Sequence, residues 1–177
     1  TPHQAGIIEN MLRQRMPAFV MVDPVMADNG AFYSGLSEAT AQAMRTLAAY
    51  SSVITPNVTE AALLTGQAGL LRGPLSDADV RALLDGLLAL GTKAAVVTGC
   101  FLAQENMHYV YGRSADGPVF RFAYRHSAVR RFGTGDTFSA VLAGCLMRGQ
   151  SLEESASAAV RFLGRAFEQA QSQPSCE

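Results

Sequence analysis

Apolar residues fall along this chain in two alternating rhythms. At Ile7, Ile8, Met11 and Leu12 they recur at helical spacing, and Pro17 stops the segment, so residues 6–15 predict a helix. Residues 18–22 form instead a continuous apolar run closed by Asp23 and Pro24, and a run without alternation predicts a central strand buried on both faces. The turn signal Asp28-Asn29-Gly30 follows, and residues 37–49 predict a helix with Ala43, Met44 and Leu47 inward. Residues 52–55 predict a short strand cut off by Pro56, and residues 57–65 a short helix ended near Gly66. Ser76 caps a helix to about Leu90, and residues 94–98 predict a third buried strand. Residues 107–111 and 119–124 predict a hairpin at the sheet edge.

Two helices close the pattern. Residues 136–147 carry no charge after Asp136, and a helix apolar all round is expected to be buried all round. Ser151 with Glu154 three positions on is a capping box, opening a helix with Leu152, Ala156, Ala159, Val160, Leu163 and Phe167 inward. The polar tail, residues 171–177, is expected to fray. Helices alternating with buried strands predict an α/β fold, a three-layer α/β/α arrangement on a mostly parallel central sheet with an edge hairpin.

Composition agrees with a sheet covered on both sides. Of 177 residues, 49% are hydrophobic and 16% charged, and the length suits one domain over 1–177. A formal net charge of −1 without a basic block gives no electrostatic footprint for nucleic acid or an anionic membrane. Cys100, Cys145 and Cys176 form no CxxC pair, which argues against a zinc site or disulfide framework and for a reducing cytoplasm. The start has no signal-peptide pattern, no apolar run reaches membrane-spanning length, and the first residue is Thr1 rather than Met.

In an open parallel sheet, ligands bind beyond the carboxyl ends of the strands. Gly133-Thr134-Gly135-Asp136 is the strongest such set: two glycines permit close backbone approach, and the helix behind them points N–H groups and its positive dipole end outward. Asp136 there is placed to take a proton from a hydroxyl attacking phosphorus, although the same pattern is also that of an ordinary helix N-cap. Asn57 and Glu60 put an amide and a carboxylate three residues apart, which suits water around magnesium and phosphates, and equally suits a capping box. Asp23 offers a further oxygen or makes a turn before Pro24, and Thr98 bonds a phosphate or ends its strand. Other templates fail. Lys93 is the single lysine and lacks a Walker A context, Phe138 stands where a dinucleotide fingerprint requires glycine, and His3, His108 and His126 are isolated.

Taken together, these sets resemble the ribokinase superfamily, in its pyridoxal kinase branch. Asp23-Pro24-Val25-Met26 with Asp28-Asn29-Gly30 resembles the family's DPVMGDNG segment. Ile54-Thr55-Pro56-Asn57 with Glu60-Ala61 and Leu63-Leu64-Thr65-Gly66 resembles its ITPN…EA…LLTG segment, and Gly133-Thr134-Gly135-Asp136 its GTGD signature. The resemblance implies a ribokinase-like fold and an ATP- and Mg²⁺-dependent kinase acting on the 5′-hydroxymethyl group of a vitamin B6 vitamer, working as a cytoplasmic homodimer. Asp136 would be the base, with Gly133, Thr134 and Gly135 holding the transferring phosphoryl group. Asp23, Asn57 and Glu60 would serve magnesium and nucleotide phosphates, with Asp23 and Glu60 toward the metal, and Thr98 would serve a phosphate. A related branch, hydroxymethylpyrimidine kinase, usually has cysteine at the position of Asp136 and is the alternative, as is a non-catalytic remnant of the fold. Ala27 replaces the usual glycine and Phe132 a frequent histidine. The family begins with a substantial N-terminal segment, so the resemblance implies an N-terminally truncated chain with an open sheet edge.

Overall fold

A computed structural model describes residues 1–125 and 133–172. In chain order it contains α1 (Pro2–Arg15), β1 (Met21–Val22), β2 (Ala27–Asp28), β3 (Ala31–Phe32), α2 (Glu38–Ala48), β4 (Val53–Ile54) and α3 (Val58–Leu64). A 3₁₀ turn (Ala68–Arg72), α4 (Asp77–Ala89), β5 (Ala94–Leu102), β6 (Met107–Ser114), β7 (Phe120–Tyr124), α5 (Thr134–Leu146) and α6 (Leu152–Ser172) follow. His126, Phe132 and Cys176 lie outside the described residues, as does the tail beyond Ser172.

The main sheet has the order β1-β4-β5-β6-β7. Its first three strands are parallel, and β6 and β7 turn antiparallel. Because side chains alternate across a strand, each strand feeds both faces. Val22, Ile54, Ala95, Val97, Tyr109 and Tyr111 join one core with residues of α2, α3 and α4. Val53, Ala94, Val96 and Val110 join a second core with Phe138 and Leu142 of α5 and Ala156 and Ala159 of α6. Three layers result, as the alternation predicted.

Local chemistry sets the element ends. Ser76 accepts the backbone N–H of Asp79 at 3.2 Å while the Asp79 carboxylate accepts the Ser76 N–H at 2.8 Å, a reciprocal cap that starts α4. Asn29 and Gly30, with φ of 51° and 80°, form the two-residue turn between β2 and β3, the primed geometry that Asn-Gly favours.

Three expectations change. The run at 18–22 yields only the two-residue strand β1, which among the described residues pairs with β4 alone. Helix α1 starts earlier than its apolar spacing suggested, because Thr1 caps it with Pro2 in the first turn. Of its stripe only Leu12 reaches the core, beside Ala5, while Ile7, Ile8 and Met11 are about half exposed (46–59%). Helix α5 is buried on one side only: Phe138, Ser139 and Leu142 face inward, whereas Asp136, Ala140 and Gly144 are exposed.

Candidate active site

Parallel pairing of β1, β4 and β5 brings their carboxyl ends to one edge of the sheet. Asp23 follows β1, and Thr55, Pro56 and Asn57 follow β4. Thr98 is drawn alongside, bridging Asn57 in parallel and donating its N–H to the Pro56 carbonyl at 3.0 Å. A register shift between Val97 and Cys100, with Gly99 at φ +74°, peels this stretch of β5 away from β6. A bulge at a strand end re-aims the backbone in this way.

Asn57 and Glu60 form the capping box expected of them, and more. Asn57 Oδ1 accepts the Glu60 N–H at 2.9 Å, and Glu60 Oε2 accepts the Asn57 N–H at 3.0 Å. Glu60 Oε1 also accepts the N–H groups of Met26 at 2.9 Å and Ala27 at 3.3 Å, while Asn57 Nδ2 donates to the Ala27 carbonyl at 2.8 Å. Thr59 completes the clamp by accepting the Gly30 N–H at 3.0 Å. The loop after β1 is therefore pinned to the start of α3. Glu60 is only 3% exposed, and burial pushes its carboxyl up to about 7 against the pull of the three backbone N–H groups. Ala27, in place of glycine, fits without exposure and uses its backbone rather than its side chain here.

Asp23 is half-buried, and burial raises its carboxyl above the ordinary value. The neighbouring Ser139 and Thr55 hydroxyls pull it down, and the negative charge of Asp136 adds to the upward push. Thr55 and Ser139 share a hydrogen bond of 3.1 Å with each other, and both are buried. Neither was singled out in the sequence. Their only signals there were a hydroxyl at the end of a strand and another three residues after Asp136, on the same side of the helix.

At the start of α5, Gly133 adopts φ +79°, a left-handed conformation that favours glycine. Thr137 ties this turn down, its N–H and hydroxyl both donating to the Gly133 carbonyl at 3.0 and 2.8 Å. Among the described residues, a Cβ placed on Gly135 would meet nothing within 4 Å, which leaves room there for a ligand approaching the backbone. A helix start leaves its first N–H groups without intrahelical acceptors, which suits an anion such as a phosphoryl group. Asp136 stands in this first turn, exposed rather than in an interior cleft, since the half-buried α5 places it at the open rim.

The structure thus brings Asp23, Asn57, Glu60, Thr98 and residues 133–136 to one end of the sheet. No group of three or more His, Cys, Asp or Glu side chains able to hold a metal occurs among the described residues. Magnesium needs no such cage, because it keeps several waters and is held by one or two carboxylates together with substrate phosphates. Asp23, a half-buried carboxylate at this end of the sheet, is a group of that kind.

Comparison with known proteins agrees with this geometry. The profile of the phosphomethylpyrimidine kinase family matches residues 2–175. A hydroxymethylpyrimidine/phosphomethylpyrimidine kinase of Rhizobium meliloti is 31% identical over 147 residues, covering 83% of this chain and 53% of that protein. The crystal structure of pyridoxal kinase from Lactobacillus plantarum superposes with a TM-score of 0.87 at 30% identity, covering 100% of this chain and 62% of that one. An ADP complex of Bacillus subtilis pyridoxal kinase superposes with a TM-score of 0.75 at 26% identity, covering 92% and 59%. The chain spans about half the length of the curated relatives it matches, from 42% to 54%. With a three-layer, ribokinase-like fold and a profile match over nearly its whole length, this chain belongs to the phosphomethylpyrimidine kinase family.

Proposed function

We propose that this chain carries the phosphoryl-transfer site of an ATP-dependent kinase that phosphorylates the 5′-hydroxymethyl group of pyridoxal, pyridoxine or pyridoxamine. The observation that carries the reading is the convergence of Asp23 and Asp136 beside the Gly133–Gly135 turn, at the end of a parallel sheet where ligands bind. The ADP complex of the B. subtilis relative supports a nucleotide as the donor.

In this reading the acceptor hydroxyl loses its proton to the Asp136 carboxylate as its oxygen bonds to the γ-phosphorus of ATP. The bond from that phosphorus to the β,γ-bridging oxygen breaks, and ADP leaves. Backbone N–H groups at the start of α5 face the charge that builds on the phosphoryl oxygens, and such positioning with charge stabilisation does most of the work in phosphoryl transfer. Magnesium neutralises phosphate charge when bound. Asp23 would hold it directly, while Glu60, with both oxygens on backbone N–H groups, would act from behind by fixing the loop and Asn57. Thr98, bridged to Asn57, would meet a phosphate. Family resemblance supports a homodimer acting in the cytoplasm.

A second acceptor, hydroxymethylpyrimidine or its phosphate, is favoured by the R. meliloti relative and by the family's own description. Aspartate at position 136 favours the vitamin B6 vitamers. The deciding experiment incubates the protein with Mg²⁺ and ATP, and with pyridoxal or hydroxymethylpyrimidine side by side. Faster ADP formation with pyridoxal supports the first reading, and faster formation with the pyrimidine replaces it with the second.

A further inference from the structure

A row of aromatic rings crosses the sheet beside the site, and the steps derived above give it no part. Phe101 of β5 pairs in register with His108 of β6, and His108 with Tyr124 of β7. Their ring centroids lie 4.8 and 5.7 Å apart, with interplanar angles of 38° and 45°, inside the range of aromatic contacts. The row is at the site end of the sheet, because Phe101 stands three residues after Thr98, toward the carboxyl end of β5. It is also on the face that α5 covers. Side chains two positions apart share a face, and Val110 and Phe122, each two positions from a residue of the row, join the core that contains Phe138 and Leu142 of α5. The Thr55 and Ser139 hydroxyls, 3.1 Å apart, set the start of α5 over the end of β4. From β4, the middle of the row on β6 is two strands away, about 10 Å across the sheet, a span that ribose and a triphosphate cover. His108 and Tyr124 are half-buried, whereas Phe101 belongs to neither core and is 40% exposed.

Building on the kinase reading, we propose that Phe101, supported from the side by His108 and Tyr124, is the platform on which the purine base of the nucleotide stacks while its phosphates reach the start of α5. The flat, exposed phenyl ring gives a base an apolar face to cover, and the two rings beside it fix its tilt. Stacking uses ring faces, which every base has. The platform therefore adds affinity without choosing between adenine and guanine, and it adds nothing for a phosphate chain that carries no base.

The test measures affinity by calorimetry in the presence of Mg²⁺ for three probes, a non-hydrolysable ATP analogue, its guanine counterpart and inorganic tripolyphosphate, alongside thermal unfolding. It compares Phe101→Ala, Phe101→Leu, which keeps apolar bulk without a flat ring, and the ring-retaining Phe101→Tyr. Phe162→Ala serves as control, because Phe162 is an exposed phenylalanine of α6. Stacking of a base on an aromatic side chain is worth about tenfold or more in affinity. Phe101→Ala and Phe101→Leu are expected to bind both nucleotide analogues about tenfold more weakly and tripolyphosphate within about twofold of the parent, while Phe101→Tyr and Phe162→Ala keep parental affinity for all three probes. If Phe101→Ala does not fold, the Phe101→Leu and Phe101→Tyr pair decides alone. Parental affinity for both nucleotide analogues in folded Phe101→Ala or Phe101→Leu overturns the platform and leaves the kinase reading intact, as does an equal loss for tripolyphosphate, which would place the effect on the anion site. A parent protein that binds neither the nucleotide analogues nor tripolyphosphate overturns both.

Discussion

Glu60 Oε1 accepts the backbone N–H of Met26 at 2.9 Å, across 34 positions of sequence, and thereby fastens the loop after the edge strand to the start of α3. Beside Glu60, the loop is held by a two-residue turn, a two-residue ribbon, the Tyr33 N–H on the Met26 carbonyl at 3.0 Å and the Asn57 and Thr59 contacts. Glu60→Gln presents an amide N–H₂ to one of the N–H groups now facing a carboxylate oxygen, leaving a buried donor unpaired. The expected loss is about 1–3 kcal/mol of unfolding free energy, measured by urea denaturation with the slope unchanged.

The same residue gives stability a pH dependence. Its carboxyl is pushed by burial from the ordinary 4.5 to about 7, so the folded chain holds a proton that the unfolded chain releases. Stability from this group is fully present below about pH 4.5 and is lost as pH rises through about 7, up to about 3 kcal/mol over that interval. Asp23, raised in the same direction, adds to the trend with the same sign. Urea unfolding at pH 5 and pH 7.5 is expected to show the parent losing stability at the higher pH, and Glu60→Gln losing distinctly less.

The C-terminus of α3 offers an independent check on what holds the Asn57–Glu60 cap in place. Arg45 of α2 donates from Nε to the Leu64 carbonyl at 2.8 Å and from Nη2 to the Leu63 carbonyl at 2.5 Å, satisfying acceptors that the end of a helix leaves open. Arg45→Met keeps the aliphatic stem and removes the donors. A loss of about 1–2 kcal/mol is expected, with amide exchange rising first across residues 58–64.

Much of this architecture is legible in the chain because it is local. Ser76 with Asp79, and Asn57 with Glu60, specify their helix starts within four residues, and Gly66 at φ +71° ends α3 where the sequence puts it. Burial is less legible where the signal is apolarity alone. The run at 18–22 reads the same whether its strand has one neighbour or two, and small residues such as Ala140 and Gly144 give no polar face to show that α5 is exposed there. The contacts that shape the site are the least legible. Thr55 and Ser139 meet only after the sheet is assembled, and the dual use of Glu60, capping its own helix while holding residues 26 and 27, needs a partner more than 30 positions away.

Two glycines of the α5 turn separate fold from ligand. Gly133→Ala forces a methyl-bearing residue into φ +79° and is expected to cost about 1–2 kcal/mol of stability. Gly135→Ala meets no atom of the described residues within 4 Å and lies inside the helix, where alanine is the better residue by about 1 kcal/mol. It is therefore expected to leave stability equal or higher while lowering nucleotide affinity about tenfold, because its methyl occupies the space proposed for phosphate. Thermal unfolding and calorimetric titration of the two variants side by side check the contrast.

The central claim is that Asp136 takes the proton from the acceptor hydroxyl, and the most direct measurement compares turnover of the parent and Asp136→Asn with pyridoxal, ATP and Mg²⁺. Asparagine keeps the size and removes the basic oxygen, so turnover is expected to fall by roughly 10²-fold or more, the scale of a lost general base, with nucleotide affinity retained. Turnover equal to that of the parent would contradict the assignment of Asp136 as the base.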